Sequence, residues 1–556
     1  IMQLVEEGRI RSVDDPVNPY LKRYKLPPPY GDQVTIRQLM THSSGMAGHF
    51  SPQGTMKDIP VPVDENEVAL YFRENIERPP GTVGQYANLG VSLEAVLIED
   101  LTGMSIRDYF QERLFDPMGL SPAILHHVPK PPENLAVPYG IFPNGDLQAV
   151  PFFPKHPLGA SSGGVITTPE QLLKYSTLHA DEEGIRFPNV LSSASRKKLH
   201  TKHFGHHPAD PGIGLHFYID DYGDTRFVSH GCGLPGTRSL MAVAPDHKAG
   251  IVVSILKASP DPSVRDLVGK VFGNGRLVEG PGGPTKEGET KGSPFNKILE
   301  AIAGPLKRPD ASSFEAPSEM VDDLSQIEGV YWIERRSLTS ASTFFAANNI
   351  RKVRQVADGL LKIDGNEFKR VATGVFEAIE GSARYYFRQP IADGPIYMHT
   401  SVSTSLRRMP SYANPASLST LFSVGFLITI TGIFAVFWPS GIAFGSFGKI
   451  IALLMAFAAL GVAAAGTAGL ETLGALGTRV SNGDWSRMAA MLGLTNLHLL
   501  LGLPLIASAI VGWSSERNSS GVMALAARVH LGILSLSALA MWPGAVFFHI
   551  IGWNLR

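Results

Sequence analysis

The chain has 556 residues, and 49 Lys+Arg against 50 Asp+Glu leave a net charge of −1. That balance excludes a strongly basic nucleic-acid binder and an acidic solvating chain, so no nucleic-acid partner is expected. A single cysteine excludes an intramolecular disulfide scaffold and any cysteine-rich metal site.

In chain order, Ile1 precedes Met2, and no basic segment followed by an apolar stretch opens the sequence. Residues 1–8 read as the end of a helix closed by Gly8, so the chain is expected to begin inside a domain. Thr35 with Gln38 forms a capping box, and Asp64 with Glu67 caps a helix expected to end near Glu77. Thr168-Pro169-Glu170-Gln171 joins a cap, an N1 proline and a capping residue. Helices are expected over 90–102 and 105–115, and strands over 224–229, 238–244 and 250–256. These elements predict an α/β (α+β) domain over residues 1–275, with an antiparallel sheet and a helical lobe.

Residues 276–323 read as a linker. Its Gly/Pro-rich part, 278–294, cannot bury a core, and 295–320 adds a short helix. Short runs separated by turns over 324–408 predict a small antiparallel β module of barrel type. Residues 409–556 then hold nine charged side chains, against ninety in the first 408. Four apolar stretches (418–438, 446–470, 489–513 and 527–552) are expected to be transmembrane helices. Residues 450–470 alone run 21 residues without a charge, enough for a hydrocarbon core of about 30 Å. A multi-pass membrane domain with a lipid bilayer as partner is expected. Five basic residues on one side of the spans against three on the other favour a cytoplasmic front end. His498, His530 and His549 lie in or near the spans.

Two motifs carry chemistry. In Tyr86-Ala87-Asn88, a phenol becomes a base near neutrality only beside cations that stabilise phenolate. The amide two residues on can hold a substrate carbonyl with its N–H groups. The plainer alternative is a loop tyrosine with Asn88 capping a helix from Leu89. His230-Gly231-Cys232-Gly233 sets a titratable imidazole two residues from the chain's single thiol. Cys232 beside His230 reads either as a small buried hydrophobe, the expected case, or as a Cys–His nucleophile.

With Met2-Gln-Leu-Val-Glu-Glu-Gly-Arg-Ile10, Thr35-Ile-Arg-Gln-Leu-Met-Thr-His-Ser-Ser-Gly45, Ser161-Ser-Gly-Gly164 and Ser229-His-Gly-Cys-Gly-Leu-Pro-Gly236, these motifs stand in a recognisable order. Residues 1 to about 257 thereby resemble the serine penicillin-binding-protein and class C β-lactamase family. The resemblance implies Tyr86 as general base or proton relay, with Asn88, Gly231 and Gly233 in contact with substrate. It also implies His230 in the place of the third-motif lysine, polarising Tyr86 and favouring ester or peptide substrates. Cys232 departs from the pattern, standing where glycine is usual. The resemblance implies no metal or organic cofactor, and a location mostly outside the cytoplasm.

The family's Ser-x-x-Lys nucleophile is expected just upstream of Ile1, leaving no nucleophile in this chain and an N-terminally truncated, inactive hydrolase. Two matches within residues 1–275 fail as substitutes. Ser195-Arg-Lys-Lys198 is expected on an exposed basic helix late in the domain. Ser254-Ile-Leu-Lys257 lies on a strand, where i and i+3 point to opposite faces. His200, His203, His206 and His207 match no zinc spacing and are expected to be solvated loop residues. The expected function is a membrane-anchored serine hydrolase acting by acyl transfer on a small-molecule or peptide substrate. The alternative is a non-catalytic, hydrolase-like receptor or scaffold.

Overall fold

The computed structural model describes residues 1–46, 61–72, 76, 78–125, 132–141, 147–149, 156–234, 237–256, 294–335, 350–410, 413–437, 450–460, 486–514 and 522–547. The chain divides into two compact units. One is built mainly from Ile1–Arg336 and Arg351–Met409, the other mainly from Pro410–Val480 and Asp484–Arg556.

In the first unit the capping signals are realised. Gln38 N donates to Thr35 Oγ1 at 3.2 Å and Thr35 N donates to Gln38 Oε1 at 2.9 Å, closing the box on helix Ile36–Met40. Asp64 accepts from Glu67 N at 2.9 Å and starts helix Glu65–Tyr71, whose expected continuation to Glu77 lies largely outside the described residues. Helix Asn88–Thr102 ends on left-handed Gly103. Near that end Arg23 holds Glu99 at 2.7 Å and Asp100 at 2.6 Å. The segment expected as one helix over 105–115 is α-helical over Ile106–Phe110 and widens to a π-turn over Gln111–Phe115.

Two small antiparallel pairs flank this lobe. Strand β1 (Ala123–Leu125) pairs with β4 (Val165–Thr167), and β2 (Tyr139–Ile141) with β3 (Leu147–Ala149). The main sheet is antiparallel in the order β8-β7-β6-β5-β9, with β5 Tyr218–Tyr222, β6 Thr225–Leu234, β7 Thr237–Ala244, β8 Ala249–Leu256 and β9 Leu306–Lys307. Its two faces feed two cores, as the period of two requires. Val228, Met241 and Val243 join Leu39, Leu93 and Leu97 in the main core. Phe227, Leu240, Ala242 and Ala244 pack with Leu299 in a second core.

Part of the segment read as linker belongs to this sheet. Helix Pro294–Ala303 buries Leu299 in the second core, and β9 pairs with β5 through Asp221↔Lys307 and Tyr222↔Leu306. The physical reason is that the outer edge of β5 would otherwise present unpaired backbone groups. The rest of the linker, 278–293, lies outside the described residues.

Strands β10 (Gly329–Ile333), β11 (Ile350–Ala357), β12 (Leu360–Ile363), β13 (Asn366–Ala372), β14 (Val375–Ala378), β15 (Arg384–Arg388), β16 (Tyr397–Ser401) and β17 (Thr404–Met409) close into an eight-stranded barrel. Closure removes the exposed edges that an open sheet of this size would carry. Phe387 meets Phe376 and Tyr331 edge to face, with ring centroids 5.5 and 5.8 Å apart, and all three are buried.

The barrel docks on the front domain through buried polar contacts. Glu334, fully buried, accepts from Arg78 at 2.6 Å and faces Arg407 at 3.2 Å. Ser405 Oγ donates to Gly84 O at 2.6 Å. Gly84 is required there, since a Cβ would stand 1.9 Å from Val402 O. His206 and His399 stack at 3.6 Å, His399 Nδ1 meets Ser405 Oγ at 2.7 Å, and Arg388 reaches His206 Nδ1 at 3.0 Å.

This corrects the expectation of solvated loop histidines. His200, His206 and His207 are buried, and His203 is half-buried. His200 ends helix Ser193–His200 between Glu182, at 2.7 Å, and His179, at 3.2 Å. Loop composition gave no hint of the barrel wall that covers His206 and His207. Among the described residues no cluster is suited to hold a metal ion.

These histidines set a pH dependence. Burial pushes His179, His206 and His399 well below the ordinary value of 6.5, helped by His200 at His179 and by Arg388 at the stacked pair. The unfolded chain therefore binds protons that the folded chain refuses once pH falls below 6.5. Stability should be flat above pH 7 and fall between pH 6.5 and 5, by up to about 1.4 kcal/mol per pH unit for each such histidine. Denaturant midpoints of the first unit across that range test this. His399→Gln should remove one histidine's share of the slope, and an unchanged midpoint at pH 5 would refute it.

In the second unit, helices Pro415–Ile430, Ser486–Ser514 and Val522–Phe547 and a helical stretch over 450–460 surround a small core of Ile451, Met455, Leu505, Leu531 and Leu534. Gly425 lets two helices approach closely: a Cβ there would lie 2.7 Å from Met541 Cγ. Buried His498 has both nitrogens engaged, Nε2 with Thr429 Oγ1 at 3.0 Å and Nδ1 with Met455 O at 3.1 Å. Its role is to tie helices together. Among the described residues no helix is long and apolar enough to cross a membrane, so the four expected spans are not seen as such. Much of 446–470 and the end of 527–552 lie outside the described residues.

Candidate active site

Tyr86 lies just before helix Asn88–Thr102, whose N-cap is Ala87 and whose first residue is Asn88. The plainer reading of Asn88 as the cap is therefore displaced by one residue. Two neighbours hold the Tyr86 segment in place. Gln85 N donates to His42 O at 2.8 Å, and Tyr86 N donates to Ser403 O, in the turn between β16 and β17, at 2.9 Å.

Around the ring stand three further groups. The His42 ring lies 4.3 Å away between centroids and the His230 ring 6.3 Å away. The Arg335 guanidinium stands over the ring at 5.1 Å. Tyr218, whose ring is 5.7 Å from that of His230, shares a 2.7 Å hydrogen bond with Ser403 Oγ. His216 meets Glu94 at 3.0 Å, with its ring 5.8 Å from that of His42.

His230 lies on β6 opposite Met241, and Cys232 opposite Ser239. Both share the face of Val228, which belongs to the main core. Here the structure corrects one expectation. Cys232 is exposed, not a buried hydrophobe, because it sits near the end of the strand. Burial, with His216 nearby, pushes His230 down to about 4, so near neutral pH it meets Tyr86 as an uncharged imidazole. Gly231 and Gly233 flank Cys232, and a Cβ at Gly233 would stand 2.0 Å from the guanidinium of Arg238.

The electrostatics follow from these placements. Burial raises the Tyr86 phenol above its ordinary value, Arg335 opposes the rise, and Cys232 adds to it. Burial also pushes His42 well below 6.5, with His216, His230 and Arg335 contributing. Ala87 N donates to His42 Nδ1 at 3.4 Å, so neutral His42 carries its proton on Nε2. That buried Nε2 has no hydrogen-bond partner among the described residues.

The chain is similar to several known proteins. The model of the Beta-lactamase family matches residues 1–270. Residues 1–270 are a domain of the serine β-lactamase-related family. Penicillin-binding protein 4 of Amycolatopsis lactamdurans is 29% identical over 205 residues, 35% of this chain and 51% of the relative. A D-aminopeptidase of Cereibacter sphaeroides is 25% identical over 291 residues, 50% of this chain and 52% of the relative. The chain spans about half the length of the curated relatives it matches. The octameric penicillin-binding protein homologue from Pyrococcus abyssi has a TM-score of 0.41 at 18% identity, covering 73% of this chain and 84% of that one.

Within this β-lactamase-related domain the two Ser-x-x-Lys matches lie on helix Ser193–His200 and on strand β8. Ser195 is on the expected helix, but it is buried there, not exposed. Its neighbour Arg196 is also buried, with its guanidinium donating to the carbonyls of Leu191, Asp181, Arg186 and Phe187 at 2.6–2.9 Å. Ser254 is exposed on β8, and Lys257 lies outside the described residues.

Sequence reasoning quoted His42 in a landmark without giving it a role, and it missed Arg335, Tyr218 and Ser403. Only the charge of Arg335 directly after Trp332-Ile333-Glu334 was a signal, and a charge at a strand end is usually solvated.

Proposed function

We propose that this protein is a membrane-anchored serine hydrolase. It transfers the acyl group of an ester, amide or peptide through a serine acyl-enzyme to water. The observation that carries the reading is the grouping of His42, His230 and Arg335 around Tyr86, beside the first turn of helix Asn88–Thr102. A phenol under a guanidinium can relay a proton between serine and leaving group, because the cation offsets charge growing on the phenolic oxygen. Asn88 orients the substrate carbonyl. Backbone N–H groups around Gly231 and Gly233 serve the oxyanion, and neutral His230 contributes a hydrogen bond. Neither Ser195 nor Ser254 is the acylated residue.

Anchoring rests on the second unit. Leu421, Val424 and Leu427, then Leu497, Leu500 and Leu503, then Val529, Ile533 and Leu536 leave apolar side chains exposed at helical spacing. A lipid bilayer is the partner that covers such surfaces, and the hydrolase domain stands on its extracytoplasmic side.

One experiment tests both halves. Full-length protein reconstituted with liposomes should float on a density gradient, and a fluorophosphonate added to the floating fraction should modify one serine. Protein that stays at the bottom overturns the anchoring. Absence of any label overturns the hydrolase reading in favour of a receptor or scaffold, and a label on Ser195 or Ser254 overturns the site assignment.

A further inference from the structure

The barrel touches the candidate site at three points. Ser403 O accepts from Tyr86 N, Ser403 Oγ meets Tyr218 OH, and Arg335 stands over the Tyr86 ring. Arg335 lies two residues past the end of β10, and its neighbour Glu334 is the fully buried carboxylate between Arg78 and Arg407. Glu334 N also donates to Ser405 O at 2.9 Å. The backbone that presents Arg335 is thus fixed against the front domain.

We propose that Arg335 is the positioning cation of the active site: it holds the negative charge that Tyr86 acquires on taking a proton, so the barrel completes the catalytic machinery. The inference rests on the reading of Tyr86 as the proton relay, and it assigns a barrel residue the task expected of the third motif.

The surrounding groups leave that task open. His42 and His230 face Tyr86 as neutral rings held so by burial. Desolvation holds the phenol of half-buried Tyr218 well above its ordinary value, so it stays protonated, and its hydroxyl is committed to Ser403. Burial raises the Tyr86 phenol above its ordinary value and Cys232 adds to the rise, while Arg335 opposes it and so favours the phenolate. A guanidinium suits the position because it keeps its charge at every working pH and its plane packs on an aromatic face.

Phenol ionisation tests this without any turnover. With 3-fluorotyrosine at position 86 of the full chain, the 19F shift followed against pH reports the midpoint of that one ring. Arg335→Gln should raise the midpoint by about one pH unit, leaving tenfold less phenolate at a given pH. Arg335→Lys, which keeps the charge, should recover most of the shift. Arg354→Gln, an exposed barrel residue, should leave it unchanged. An unmoved midpoint in folded Arg335→Gln protein, with native near-UV dichroism, overturns the proposal. If the midpoint moves but Tyr86→Phe leaves hydrolysis intact, the cation–phenol pair stands and only the relay reading falls.

Discussion

Replacing Tyr86 by Phe in the full-length protein should slow acylation by about 10²-fold or more, the scale of a lost proton-transfer group. The ring of the variant still packs against His42 and beneath Arg335, so binding and folding should change little. The loss should therefore fall on the acylation rate, with substrate affinity nearly preserved. Pre-steady-state labelling by a chromogenic ester measures both quantities separately. A rate within a factor of two of the parent would return Tyr86 to a packing role. A large rise in KM at constant kcat would make it a binding residue instead.

Glu334→Ala should cost about 3–5 kcal/mol of stability, the penalty for leaving buried charges without their counter-ion. Arg78 and Arg407 both face this carboxylate, and Arg78 is buried with it. Chemical denaturation of the first unit measures the loss. The double variant Arg78→Met/Glu334→Met should be clearly less destabilised than Glu334→Ala alone, since it removes both members of the closest pair. Equal losses would mean that the site tolerates an unpaired guanidinium, and that barrel docking rests on apolar contact.

The same clamp shows why the barrel matters to the chemistry. A domain joined only by a flexible connection would carry Arg335 at no fixed distance from Tyr86. Here Glu334 ties the barrel to Arg78, while Ser403 and Ser405 register it on Tyr86 and Gly84. Positioning by polar bonds in a water-poor contact is strict, because a misplaced donor or acceptor loses its partner and its solvent together.

Much of the architecture was legible locally. The capping box at Thr35, the cap at Asp64, the left-handed glycine after Thr102 and strands β6 to β8 are each written within a few consecutive residues. Backbone donors near a helix start, or the period of two along a strand, impose a readable pattern there. The β-lactamase-related character of residues 1–270 was legible in the same way, because its motifs are short and ordered.

Tertiary structure alone decided the rest. Nothing near His206 or His207 announces the barrel surface that buries them, and nothing near His230 says that it will be kept neutral. Cys232 is exposed by its place near a strand end, although its composition suggested an interior. The segment after Pro294 looked like a connection until β5 took up β9 as its neighbour. Arg335 and Tyr86 meet only because a barrel, closed by its own strand pairing, is bolted to the front domain by a buried carboxylate. Charge state, burial and the company a side chain keeps depend on what packs against it, and distant parts of the chain supply that.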